Sequence, residues 1–575
     1  MEKREKKEYI RKSGIYIWLV KNKRLLRFAF AWGVPFAGSC VLGWRLVSEG
    51  TVFSRGGSFA DGMCSFLLLL LQTALLSVPA SALAAIILHG GEKRRMRTDR
   101  AAGDKGICLQ GPRPAWQPWL FYAAVILLCW IPVFLAYYPS VFAYDAEGQL
   151  YQVIARDYST HHPLLHTLFL GAFFRLGGAL GSYSVGMALH SVVQMVLMAA
   201  AFGWALSCLY RRQIPRWIRI LLLLFYGLFP ANSVLALSTT KDVLFSALML
   251  TFTLWMYQMV CGRGMRGGRK EQAVYVALAV LMMLFRNNAV YAFAVSVPVV
   301  YLGIGKQDRR TYLRMTLLAL LLFVAGSVML KTATHAHSGS PREMLSVPLQ
   351  QMARTRVEAE DRLNPQMRQE LDRYIPSEWV FAAYNPHLAD PVKNRAVIHD
   401  NPKGLIETWV ELGLQHPKIY IDAFLDNSLG LWFLWDTSHA RVYGIGTESG
   451  FGYLSTDNRT MPAGCEIVEH SFLPGLRAFM EKIVSDNEYG KLPVIRLLFA
   501  PALYWWLLYL YLVAALYRKK YREMLPAVYL AAYYLTLLLS PTVLVRYMYP
   551  IMVTIPVILP CLMMDVQRNG CENTQ

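Results

Sequence analysis

Charge is scarce in this chain. Asp, Glu, Lys and Arg make up 17% of its 575 residues, against roughly a quarter in soluble domains. That deficit excludes an ordinary water-soluble globule. Nine cysteines, among them Cys40, Cys129, Cys208 and Cys561, lie mostly in or beside apolar runs. They have neither metal-ligand spacing nor an even disulfide framework. The chain has no GxxxxGK[ST] phosphate loop and no strand–GxGxxG–helix unit, so the common nucleotide cradles are excluded. An internal repeat of transporter type is also missing.

Apolar sequence is abundant instead: 55% of residues are hydrophobic and 13% aromatic, with mean hydropathy +0.31. Several runs reach the ~20 residues that span a bilayer, continuous rather than alternating, which argues against a β-barrel. We expect an all-α polytopic membrane protein of about twelve transmembrane helices. The net charge of +20 sits in short loops such as RRQIPRWIR and CGRGMRGGRK. The positive-inside rule accounts for it without a nucleic acid.

Orienting the runs by flanking Lys and Arg gives a topology. A basic cytoplasmic tail (1–27) precedes two spans and a basic inner loop (28–118). A membrane core (119–332) carries an outer loop at 139–182. Residues 333–490 hold 14 Lys and Arg against 21 Asp and Glu, as an external, mainly helical domain should. The last spans (491–567) and a short cytoplasmic tail (568–575) follow. Parity requires the apolar segment 164–180 to be interfacial or re-entrant. The segment 419–439 is apolar enough to rest on the bilayer or cap the core.

This topology collects unusual residues on one face. They are Asp145, Glu147, His161 and His162 after the third span, Lys241 and Asp242 in the turn STTKD, Arg286 and Asn287 in RNN, and Arg546 and Tyr547 in VRYMYP. Asp145 starts an amphipathic helix and suits an N-cap. It also suits a general base whose basicity an oily floor would raise. His162 and His166 have i, i+4 spacing, but Pro163 intervenes and no third ligand fits, so hydrogen bonding is the better reading than metal. Asp145-x-Glu147 could hold a divalent cation with a diphosphate. Three outward cations suggest an anion site. A transferase on the outer face, where nucleotides are not supplied, needs a donor delivered through the bilayer. A polyprenyl-phosphate-linked sugar meets that need, with a glycan, lipid or protein as acceptor. Gln351, near the start of the external domain, could reach back to such a sugar.

YPSVFAYDAEGQ followed by STHHPLLHT, then STTKD, RNN and VRYMYP, resembles the GT-C superfamily of integral-membrane glycosyltransferases. The resemblance implies a GT-C-like core, Asp145 as catalytic base, and Arg546 beside the donor phosphate. His162-Pro163 resembles the "HP" that often follows the acid. The adjacent double acid and the metal-binding DxD of better-known members are missing, so the acceptor cannot be carried over. Two other classes compete. A lipid-linked glycan polymerase or ligase would rely on Arg354 and His399. A transporter or flippase would place its charges at mid-bilayer.

Overall fold

The computed structural model describes residues 22–53, 59–103, 116–142, 144–262, 264–398, 401–436, 461–484 and 492–564. Both expected tails fall largely outside them, as does His399. The described residues form 24 α-helices, two 3-10 turns and isolated β-bridges, with no sheet.

Among the described residues seven helices are long and apolar enough to cross a membrane. They are α1 (Lys23–Glu49), α2 (Phe59–Gly103), α3 (Trp116–Ala136), α6 (Tyr183–Arg211), α9 (Lys241–Cys261), α12 (Lys306–Thr334) and α24 (Val545–Met563). An eighth span arises if the bent pair α7 (Arg216–Leu228) and α8 (Pro230–Leu237) counts as one. The bend is 48° and follows from Pro230. Phe229 before it is extended (ψ 120°), as a residue preceding proline prefers. Pro230 has no N–H for the Tyr226 carbonyl, which accepts from Trp130 Nε1 at 3.1 Å instead; Asn232 adds a bond to the Phe225 carbonyl at 2.7 Å.

This number is lower than the expected twelve. The other four segments form α10 (Arg269–Phe285), α11 (Ala289–Gly303), α22 (Pro501–Tyr517) and α23 (Tyr521–Leu537). At 15 to 17 residues they are about 22–26 Å long, short of the ~30 Å hydrocarbon core.

Helices α9 and α24 form the centre, each with 78% of its apolar window buried. In α2 and α12 only 17% is buried, so both lie at the periphery. The bundle has two distinct ends. At one end Gln258 donates to Cys208 Sγ, Tyr257 to Glu523, and Arg518 to the Leu562 carbonyl. That end gathers the basic turns. The N-termini of α9 and α24 lie at the other.

Helix α5 (Leu164–Ala179) turns back at Gly181 (φ +79°) onto the first turns of α6. Phe169 and Phe173 pack on His190, and Gly177 lies against Gly186. A Cβ on Gly186 would meet the Phe173 carbonyl at 2.3 Å, so only glycine permits this crossing.

Helices α13 (Ser346–Ala359), α14 (Pro365–Tyr374), α15 (Ser377–Ala383), α16 (Asp390–Arg395), α17 (Pro402–Gln415), α18 (Pro417–Asn427) and α19 (Leu429–Trp432) form a layer. Leu349, Met352, Leu371, Val392 and Leu412 give it a core of its own. It docks on the non-basic end: the Ala389 N–H donates to the Pro541 carbonyl, and Asp422 accepts from the Val52 N–H. Part of 419–439 caps the bundle, with Phe433 against Gly43 and Trp44 of α1. Helices α20 (Pro474–Val484) and α21 (Pro493–Phe499) lead into α22.

Candidate functional site

Five ionisable side chains meet at the non-basic end of the bundle. Asp145 lies in the first turn of α4 (Tyr144–Ala155), where an acid suits the helix dipole. Lys241 and Asp242 open α9, whose N-cap Thr240 accepts from the Asp242 N–H. Arg286 is the extended residue that ends α10. Arg546 is the second residue of α24. A backbone staple sets their spacing: the Val141 N–H donates to the Leu237 carbonyl at 3.2 Å, and the Thr239 N–H to the Val141 carbonyl at 2.9 Å. This ties the approach to α4 to the approach to α9.

Lys241 Nζ donates to Asp145 Oδ2 at 2.8 Å and to His162 Nδ1 at 3.2 Å. Arg546 lies 3.7 Å from Asp145 and 3.8 Å from Asp242, and donates to Thr240 Oγ1 at 3.1 Å. Arg286 pairs with Asp242, which is fully buried. Tyr547 lies beneath both guanidinium groups, 5.0 Å from Arg286 and 5.4 Å from Arg546, where cation–π attraction compensates lost hydration. Three cations against two carboxylates leave one surplus positive charge. Asp145 and Lys241 keep 18% and 17% of their side chains accessible, so the network has an open edge.

His162 cannot add to that charge. Burial, and then Lys241, push its pKa down to about 3, so the ring is neutral and accepts from the lysine. Burial would by itself raise the Asp145 carboxyl, but Lys241 and Arg546 outweigh it and hold the group well below the usual carboxylate range. The expected rise in its basicity is therefore reversed: two cations stand where an oily floor alone was anticipated.

Other expected members of the site have different roles. Glu147 is about 200° round α4 from Asp145, so the two carboxylates do not converge on a cation. His162 Nδ1 accepts from Lys241, and His166 Nδ1 pairs with Gln149. Among the described residues no group of three or more His, Cys, Asp or Glu could hold a metal ion. His161 turns outward, 41% exposed, 3.9 Å from Glu343. Asn287 clips the loop by donating to the Thr160 and His161 carbonyls, both at 3.2 Å. Gln351 is held inside the α13–α19 layer by the Tyr420 carbonyl and Trp409 Nε1; it does not reach the network. Asn288, the last residue of RNN on the same face, holds Arg286 at 2.8 Å. Thr240 was not foreseen; a short polar residue beside a charged one in STTKD is the signal that could have shown it.

The fold and this buried, charged lip define a multi-pass helical membrane protein. The chain belongs to the family described as a family of unknown function (DUF6020), whose model matches residues 155–574. That span includes His162, Lys241, Arg286 and Arg546, and begins ten residues after Asp145. Neither the curated proteins nor the solved structures give a match.

Proposed function

We propose that the protein is a membrane glycosyltransferase of GT-C type. It would move a sugar from a polyprenyl-phosphate donor to a glycan, lipid or protein acceptor on the non-cytoplasmic face. The observation that carries this reading is the convergence of Asp145 with Lys241, Arg286 and Arg546 from four distant segments. In this reading α10, α11, α22 and α23 complete twelve spans, and the basic end faces the cytoplasm.

The chemistry follows from the charges. A donor phosphodiester carries one negative charge and competes with Asp145 for Lys241 and Arg546. Its arrival relieves the carboxylate of its cations, and Asp145 becomes a stronger base when substrate is present. The acceptor hydroxyl attacks the anomeric carbon, its proton passes to Asp145, and the bond to the phosphate oxygen breaks. The leaving phosphate gains a second charge in that step. The cations therefore bind the transition state more tightly than the ground state. Arg286 and Asp242 position Arg546.

The polymerase reading gains nothing from Arg354, which is held by Asp426, Glu358 and the Gly50 carbonyl. Purified protein supplied with polyprenyl-phosphate sugars and cell-envelope acceptors tests the proposal. Wild type should form covalent product, and Asp145→Asn should not. Unimpaired turnover by Asp145→Asn would overturn it.

A further inference from the structure

An uncharged polar row lies beside the ionic network. Asp145 and Gln149 are four residues apart on α4, so they share a face one turn apart. His162 and His166 are likewise four apart where the chain enters α5. His166 Nδ1 lies 2.7 Å from Gln149 Oε1, and the Thr167 hydroxyl donates to that oxygen at 3.3 Å. All three residues are fully buried. Gln149 Nε2 and His166 Nε2 nevertheless have no partner in the protein. His190 on α6 is also fully buried, with neither ring nitrogen bonded, between Phe169 at 5.3 Å and Phe173 at 5.6 Å. Phe285 lies beside His166 and Phe169, and Phe169 lies beside His190, so the two imidazoles flank one aromatic group. Four orphaned polar atoms on three helices are costly in a buried site. Leucine or phenylalanine would pack there without that cost.

We propose that Gln149, His166 and His190 form a neutral subsite for the hydroxyl-bearing part of the ligand, the sugar of a lipid-linked donor, alongside the anion site. The inference rests on the glycosyltransferase reading. The amide offers a donor; His166, which donates through Nδ1 to Gln149 Oε1, offers Nε2 as an acceptor; and the two His190 nitrogens divide donor and acceptor according to tautomer. Sugar hydroxyls do both. Phosphate and sugar of one ligand then occupy successive rows, charged and uncharged.

The test is binding to protein in lipid nanodiscs. The probes are bare polyprenyl phosphate and polyprenyl phosphate bearing glucose, galactose, mannose, N-acetylglucosamine or arabinose. Wild type should bind at least one sugar-bearing lipid about tenfold or more tighter than the bare one. His190→Leu and Gln149→Met should remove most of that preference and leave bare-phosphate affinity unchanged. His166→Gln, which keeps hydrogen-bonding groups, should retain part of it. His190→Leu loses no bond within the protein, so it carries the test even if Gln149→Met fails to fold. A wild type that binds bare phosphate and all sugars alike overturns the subsite alone. So does a His190→Leu protein with higher Tm and an intact preference. A wild type that binds none of the lipids overturns the parent reading, and the subsite with it.

Discussion

Two arginine–aspartate networks in this molecule have opposite properties. In the α13–α19 layer Arg354 donates to Asp426 at 2.6 Å and Glu358 at 2.7 Å, and it also reaches the Gly50 carbonyl. The pair with Asp426 is closed, with 4% and 7% of the side chains exposed, and carboxylates outnumber the cation. At the bundle lip the cations outnumber the carboxylates, Arg546 lies beyond hydrogen-bond reach of either, and Asp145 and Lys241 remain partly open. The first network locks the layer to α1. The second can exchange partners. Saturation and the sign of the surplus separate a fastener from a binding site, and residue type alone does not.

The sharpest way to break this comparison is to exchange the expected consequences. Asp145→Asn should cut sugar transfer by about 10²- to 10⁴-fold, with a smaller loss of Tm than Arg354→Met because its site is partly open. Arg354→Met should instead destabilise by about 3–5 kcal/mol, because the buried Asp426 loses the neutralising charge of its arginine. Thermal unfolding in detergent reads this, and any loss of transfer should follow loss of fold. If Arg354→Met abolished transfer in folded protein, or Asp145→Asn unfolded it, the assignment of roles would be inverted.

Lys241→Met should weaken binding of polyprenyl phosphate by roughly 10- to 100-fold, the worth of one charge-assisted hydrogen bond of about 1.5–3 kcal/mol. Lys241→Arg should recover part of it, and isothermal titration distinguishes the two.

A smaller effect concerns pH. His162 is neutral in the fold down to about pH 3, whereas the unfolded chain takes up that proton near pH 6.5. Its contribution is therefore full above pH 6.5 and falls as pH drops, by about 1.4 kcal/mol per unit. Asp145 has the depressed pKa of a paired acid, so its contribution holds above roughly pH 4 and is lost only below. Unfolding free energies between pH 8 and 5 should slope downward on the acid side, and His162→Gln should flatten part of that slope.

The class of the fold was legible because the bilayer imposes one solvent on every long helix. The closeness of Asp145 to Lys241 and Arg546 followed from placing three loops at one lip, an argument from charge that needs no coordinates. Three features were hidden. The break at Pro230 looks like a continuous apolar run, since Phe229 and Asn232 do not read as a kink by hydropathy. Gln351 near the membrane end of α13 gives no sign that Trp409 and Tyr420, 58 and 69 residues on, will hold it. The depressed pKa of Asp145 depends on distances of a few ångströms, which spacing along a chain does not specify. The comparison was also invisible, because Arg354 and Arg546 differ only in their surroundings.

The staple between Val141 and the Leu237–Thr239 turn has a consequence for anyone altering this molecule. Asp145 and Lys241 stand four and two residues beyond main-chain bonds that hold their strands together whatever side chains follow. Their meeting is inherited from the backbone, so either can be exchanged without its counterpart drifting. The two positions thus offer a chemically addressable pair: a carboxylate and an amine can be swapped, neutralised or replaced by longer analogues, and the resulting change in behaviour reports on charge and reach with the scaffold held constant.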